Sequence, residues 1–232
     1  MYHTKLCTMQ LHQTIIKFPE INLQTRDAHK LRGYFGNIFK EHSPLLHNHF
    51  EDGKNRYAYP LIQYKVIKNI PVLVGFLEGA KLLIDLFLKI KHINIEGTEY
   101  QVNSKNIESK TTEIDNFSKL IEYRFETLWM ALNQKNHQNY TKLKSRELKN
   151  EFLNRQLQNN ILSFYKGIGF FTENRIMVTG RFYEKATKFK DQNMLAFSGT
   201  FVANAVLPDY VGLGKAVSRG FGTVNKNNNN NI

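Results

Sequence analysis

The chain has 232 residues, with 32 Lys and Arg against 20 Asp and Glu, a formal charge of +12. Hydrophobic residues at 41% and aromatics at 12% exclude an intrinsically disordered chain and can build the core of one large domain or two small ones. The charge favours a polyanionic partner, nucleic acid before an anionic membrane surface, and the single cysteine, Cys7, excludes an internal disulfide framework and a cysteine-built zinc site.

The opening stretch, residues 1–13, is polar and has no apolar run of the kind a secretory signal needs. Residues 5–16 alternate and are rich in β-formers, which predicts a first strand with Cys7 as a small core residue and His12 projecting from it. Thr25 offers an N-cap, and Ala28, Leu31, Phe35, Ile38 and Phe39 recur at helical spacing up to His42, where Ser43-Pro44 stops the helix. Arg26, Lys30, Gly33, Asn37 and Lys40 share the opposite face. Gly33 weakens a helix, so it marks either close approach by a ligand or backbone, or an ordinary solvated face. Residues 45–59 form a loop rich in His, Gly and charge. Strands at 61–67 and 70–76 follow, joined by the short turn Lys68-Asn69. Residues 78–90 read as a second helix: Glu78, Lys81, Asp85 and Lys89 interrupt the longest apolar stretch near helical spacing, which makes it amphipathic and no membrane span. A fourth strand is predicted at 92–100.

The order β-α-β-β-α-β is the ferredoxin-like pattern. Residues 103–115 are polar and mixed in charge and read as a linker. Beyond them come a strand at 119–132 and a long helix at 139–166. That helix has Leu143, Leu148, Phe152, Leu157 and Ile161 on its apolar face and Lys142, Lys144, Arg146, Lys149 and Arg155 on the other. Strands at 175–185 and 194–206 follow, and then a glycine-rich loop. The expectation is an α+β protein of two tandem ferredoxin-like (RRM-like) domains, residues 1–115 and 116–225, the second ending in the glycine-rich loop. The Asn-rich residues 226–232 read as a disordered tail. A soluble, cytoplasmic protein with no membrane attachment is expected.

Two stretches carry chemistry. GLGKAVSRGFG, residues 212–222, sets Lys215, Ser218 and Arg219 between Gly212-Leu213-Gly214 and Gly220-Phe221-Gly222. Glycines admit positive φ and close approach, and amides with cations at such a turn can cradle phosphate; the alternative is a structural turn. It is no Walker A motif, and Val217 stands where a dinucleotide fingerprint needs its third glycine. The second stretch runs from the first helix into the loop after it and gathers His29, His42, His47 and His49, with Lys54, Arg56, Tyr57 and Tyr59 around them. Cutting RNA without a metal needs a base for the 2′-OH proton, an acid for the leaving 5′-oxygen and a cation for the phosphorane; His, Tyr and Lys supply these. A solvated polar loop is the alternative. His47-Asn48-His49 is a poor metal site, because a catalytic zinc takes a third protein ligand and only Glu51, Asp52 and His42 stand near in sequence. Lys30 and His12 are weaker catalytic candidates.

The terminal GLGKAVSRGFG resembles the Gly-hydrophobic-Gly, five-residue, Gly-hydrophobic-Gly signature of the repeat-associated RNA-binding superfamily of CRISPR systems. LRGYFGNIF (31–39), LLHNHF (45–50), YPLIQYKVI (59–67) and GFLEGAKLL (75–83) resemble the CRISPR repeat-processing endoribonucleases, the Cas six family. The resemblance implies two ferredoxin-like units and a CRISPR precursor transcript cut within each repeat. It implies metal-independent 2′-OH attack leaving a 2′,3′-cyclic phosphate and a 5′-OH, with no cofactor. It places catalysis at His47 and His49, helped by Tyr57 and Lys54, with Lys30 and His12 as weaker carry-overs. RNA would be gripped by Arg26 and by Gly212, Gly214, Lys215, Ser218, Arg219, Gly220, Phe221 and Gly222. A homodimer and a place in a CRISPR effector complex stay open. The other readings are a non-catalytic guide-RNA-binding subunit and a general basic RNA-binding protein.

Overall fold

The computed structural model describes residues 8–38, 59–115, 119–189 and 192–227. Cys7, His42, His47, His49, Lys54, Arg56 and Tyr57 lie outside them. The N-terminal half runs β1 (Met9–Lys17), α1 (Ala28–Ile38), β2 (Ile62–Ile67), β3 (Ile70–Phe76), α2 (Glu78–Phe87), the hairpin β4 (His92–Ile95) and β5 (Thr98–Gln101), and β6 (Asn106–Ile114). Its sheet is ordered β2-β3-β1-β6 and is antiparallel throughout, the ferredoxin-like arrangement. The tight β2–β3 hairpin turns on Lys68 and Asn69, both at positive φ (50° and 66°), which matches the right-handed twist of its strands.

Two sequence expectations change here. The strand at 92–100 is not the fourth strand of the sheet but a separate hairpin, packed on α1 through Tyr34, whose hydroxyl donates to the His92 carbonyl at 2.9 Å. The fourth strand is β6, in the stretch that reads as a linker. It is an edge strand with mostly exposed side chains, so it lacks the apolar alternation that marks a half-buried strand. Around α1, a short 3-10 turn (Thr25–Asp27) precedes the helix, and Gln24 caps it, its N–H donating to Asp27 Oδ2 at 3.0 Å. Ala28, Leu31 and Phe35 are buried as expected, but Ile38 is 46% exposed.

The C-terminal half runs β7 (Ile121–Phe125), α3 (Gln134–Lys142), α4 (Arg146–Gly167), β8 (Val178–Phe189), β9 (Gln192–Ala203), β10 (Val211–Gly212) and β11 (Thr223–Lys226). Its sheet is ordered β10-β11-β7-β9-β8. Strands β11, β7, β9 and β8 repeat the ferredoxin-like order, and the glycine loop occupies the place of the second crossover helix. The long helix expected at 139–166 is two helices: Ser145 caps α4, accepting from the Leu148 N–H at 3.1 Å. The apolar face of α4 is Leu153, Leu157, Ile161 and Phe164, while Leu148 is 50% exposed. Lys226 belongs to β11 and the Asn227 N–H donates to the Glu122 carbonyl, so the ordered chain reaches further than expected; residues 228–232 lie outside the described ones.

Two apolar cores hold this together. One lies between the helices α1 and α2 and the sheet, with Ile16, Phe35, Tyr64, Leu73 and Leu83. The other runs from the opposite face of that sheet, Leu11, Ile15, Val72 and Phe76, into the C-terminal half at Trp129, Leu157, Phe164 and Phe197. The N-terminal sheet is therefore covered on both faces, which is why β2 and β3 are almost wholly buried.

Candidate nucleic-acid interface

The glycine loop leaves β10 at Gly212, makes a 3-10 turn at Val217–Arg219 and enters β11 at Thr223. Left-handed backbone at Ala216 (φ 56°) and Gly220 (φ 88°) brackets that turn. A Cβ on Gly220 would stand 2.8 Å from the Ala28 Cβ, and one on Gly214 2.7 Å from Trp129 Nε1. The glycines let the loop lie against α1 on one side and the aromatic core on the other.

The loop's amides face inward. Gly212 N–H donates to Gln63 Oε1 (3.0 Å), Leu213 N–H to the Gly222 carbonyl (2.8 Å), Lys215 N–H to the Met130 carbonyl (3.0 Å), and Gly222 N–H to the Leu128 carbonyl (2.8 Å). The expected cradle of glycine amides for phosphate is thus occupied by the protein's own carbonyl and amide oxygens at Gly212 and Gly222. Side chains are what the loop turns outward. Lys215 is exposed, and Ser218, Arg219 and Phe221 are half-buried.

Beside the loop lies a cleft of about 490 Å³. Arg26 lines it from the 3-10 turn, His29 from the start of α1, Lys188 from β8, and Arg219, Gly220 and Phe221 from the loop. Arg26, Arg219, Gly220 and Phe221 are sequence candidates that the fold gathers. Burial and then the Arg32 guanidinium lower the Arg219 pKa. Lys188 escaped the sequence reading, whereas His29 belongs to the histidines noted on the first helix and the loop after it. The signal for Lys188 was the basic run on β8, Arg181, Lys185 and Lys188; His29 sits one turn after Arg26 and its Nδ1 lies 2.7 Å from the Arg26 carbonyl.

Two other candidates stand apart from the cleft lining. Lys30 is held by Asp27 Oδ1 at 2.9 Å and Glu96 Oε2 at 2.8 Å, and these carboxylates raise its pKa, Asp27 first. His12 lies beside Thr111 of β6 at 2.9 Å. Its neighbour Gln13 takes the other sheet face and donates to the Asp209 carbonyl. Among the described residues nothing lies against Gly33, so none of their backbone explains it. Tyr59 is half-buried: its hydroxyl donates to the Gly212 carbonyl (2.7 Å) and accepts from Gln63 Nε2 (2.7 Å), and desolvation pushes its pKa up. Among the described residues no group of three His, Cys, Asp or Glu is arranged to hold a metal ion, and no helix is long and apolar enough to cross a membrane.

The Cas6b N-terminal domain model matches residues 9–113, and the Cas6b C-terminal domain model matches residues 115–227. The chain belongs to the Cas6b family. A solved structure described as Cas6b superposes with a TM-score of 0.88 at 37% identity, covering 94% of this chain and 100% of that one. Another, described as the CRISPR RNA processing endoribonuclease Cas6b, superposes with a TM-score of 0.76 at 34% identity over the same shares. An uncharacterized protein of Methanocaldococcus jannaschii, MJ0978, is 33% identical over 141 residues, 60% of this chain and 95% of that protein.

Proposed function

We propose that this Cas6b chain is an endoribonuclease that cuts CRISPR precursor RNA within its repeats. The observation that carries the reading is the near-full-length likeness to a CRISPR RNA processing endoribonuclease, joined to a cation-lined cleft beside the glycine loop. In this reading the repeat backbone lies in the cleft, with Arg26, Lys188 and Arg219 against phosphates and Phe221 available to stack on a base. Lys215 and Ser218 meet the flanking backbone. Phosphate contact falls to these side chains, because the amides of Gly212 and Gly222 are already engaged.

Cleavage is by the 2′-OH on its own 3′-phosphate, without a metal. His47 and His49 exchange the two protons, and Tyr57 and Lys54 assist at the charged phosphorane. Incubating end-labelled repeat RNA with the protein in EDTA tests this. A single cut leaving a 2′,3′-cyclic phosphate and a 5′-OH is expected, lost in His47→Ala and His49→Ala while binding stays within a few-fold. Tight binding with no cut would instead make the chain a guide-RNA-binding subunit, and equal binding to unrelated hairpins at matched salt would make it a general RNA binder.

Arg26→Ala with Arg219→Ala should flatten the salt dependence of repeat binding by about two counterions, one for each phosphate that no longer meets a guanidinium. An unchanged slope places the backbone elsewhere.

A further inference from the structure

Among the described residues Lys65 is the only buried cation, with no exposed surface. It lies on β2, between the N-terminal sheet and the glycine loop. Its Nζ donates to Gln63 Oε1 at 2.9 Å and to Thr223 Oγ1 at 3.0 Å. Each acceptor holds one end of the loop. Gln63 Oε1 also accepts the Gly212 N–H at 3.0 Å, and Thr223 Oγ1 donates to the Gly220 carbonyl at 3.3 Å. Thr127 Oγ1 donates to the same carbonyl at 2.6 Å. A single ammonium therefore connects Gly212 to Gly220, and the turn carrying Ser218 and Arg219 hangs between them.

Stability does not account for a lysine here. A buried ammonium without a carboxylate is costly, and an apolar side chain of similar length would fill the site without that cost. What the ammonium adds is a fixed separation between two oxygens whose lone pairs would otherwise repel. Arg219 and Phe221 flank Gly220, so that separation sets where both enter the cleft.

We infer that Lys65 is a positioning residue for RNA capture, its ammonium clamping both ends of the glycine loop so that Arg219 and Phe221 meet the RNA in one arrangement. The inference rests on the RNA reading of the cleft. Burial lowers Lys65 to about 7, so the clamp titrates near neutrality. The charged and titratable groups on the elements packed against β2 are Arg26, Asp27, His29, Lys30, Arg32 and Tyr34 around the first helix and Arg219 on the loop. Burial is what moves Lys65. Above neutral pH the amine loses its charge but keeps two N–H donors, one for each acceptor, so both bonds persist.

Hydrogen exchange of residues 211–224 in the free, full-length protein tests the clamp, read as protection factors at pH 6 and 8.5. In the wild type, protection should rise by about tenfold or more between the two, because the opened loop hydrates Lys65, which then takes up a proton that the closed loop does not hold. Lys65→Met should lack that protection at both pH values while the amides of α4 and β9 keep theirs. Thr223→Val keeps the lysine and removes one acceptor, so its transition should move to lower pH. Repeat RNA should bind Lys65→Met about tenfold more weakly, with a salt slope smaller by about one. Wild-type protection and an unchanged pH profile in Lys65→Met overturn the inference. If that variant does not fold, unchanged protection and midpoint in Thr223→Val overturn it. A pH-dependent loop in a wild type that ignores repeat RNA upholds the clamp and removes the RNA reading instead.

Discussion

Lys65 also carries a stability prediction. Unfolded, it titrates near 10.5; folded, near 7. Between these values the unfolded chain holds a proton that the folded chain does not, so stability rises with pH from about 7 to about 10.5. Below about 7 the cost of the buried charge is present in full. Lys65→Met should remove this slope and raise global stability at pH 6 by about 1–4 kcal/mol, as apolar replacements of buried charges do. Thermal melts of both proteins at pH 6 and pH 9 check it: the gap should narrow at the higher pH. A variant that is globally firmer yet looser at the loop separates stability from positioning. Gly220→Ala is the opposite case. Positive φ and the contact with Ala28 both oppose a side chain there, so a loss of about 1–3 kcal/mol is expected, with weaker RNA binding, measured by denaturant titration and filter binding.

At the scale of elements, β8 shows how a long edge strand is kept from pairing with other chains. It is the last strand of its sheet and pairs only with β9. On its free edge Asn154 Oδ1 accepts from the Gly180 N–H at 3.0 Å and Asn150 Nδ2 donates to the Gly180 carbonyl at 2.8 Å, so α4 supplies side chains where a neighbouring strand would supply backbone. Asn150→Ala with Asn154→Ala should cost about 1–3 kcal/mol by denaturation, because two backbone groups lose their partners. Nothing in the order of residues foretells this pairing. The sequence marked β2, β3 and α2 well because their burial is one-sided or complete and so leaves a pattern. It misplaced β6, an edge strand whose composition is that of a surface. It also ran α3 into α4, since Ser145 reads as an ordinary helix-face residue unless its cap is recognised. At the cleft, Arg219 and Phe221 were legible from the motif, and Arg26 from the polar face of the first helix. The inward turn of the loop amides was not, because their partners Gln63 and Leu128 lie far away in sequence.

The molecule as a whole is two repeats of one topology that cannot be pulled apart cleanly. Leu11, Ile15, Val72 and Phe76 of the first sheet share a core with Trp129, Leu157 and Phe164 of the second half. Calorimetry should show one cooperative unfolding transition, and residues 8–115 expressed alone should expose that face and bind a hydrophobic dye. Two separate transitions would mean that the shared core contributes little. The glycine loop closes the same face last. Its bond to Lys65 spans 158 residues, and its bond to Gln63 spans 149. During synthesis the polar row on β2 must therefore wait, wet and unpaired, until nearly all of the second repeat has emerged. The half-made protein can build its first sheet early but cannot assemble its cleft, so nascent chains should be unable to seize RNA before they are almost complete.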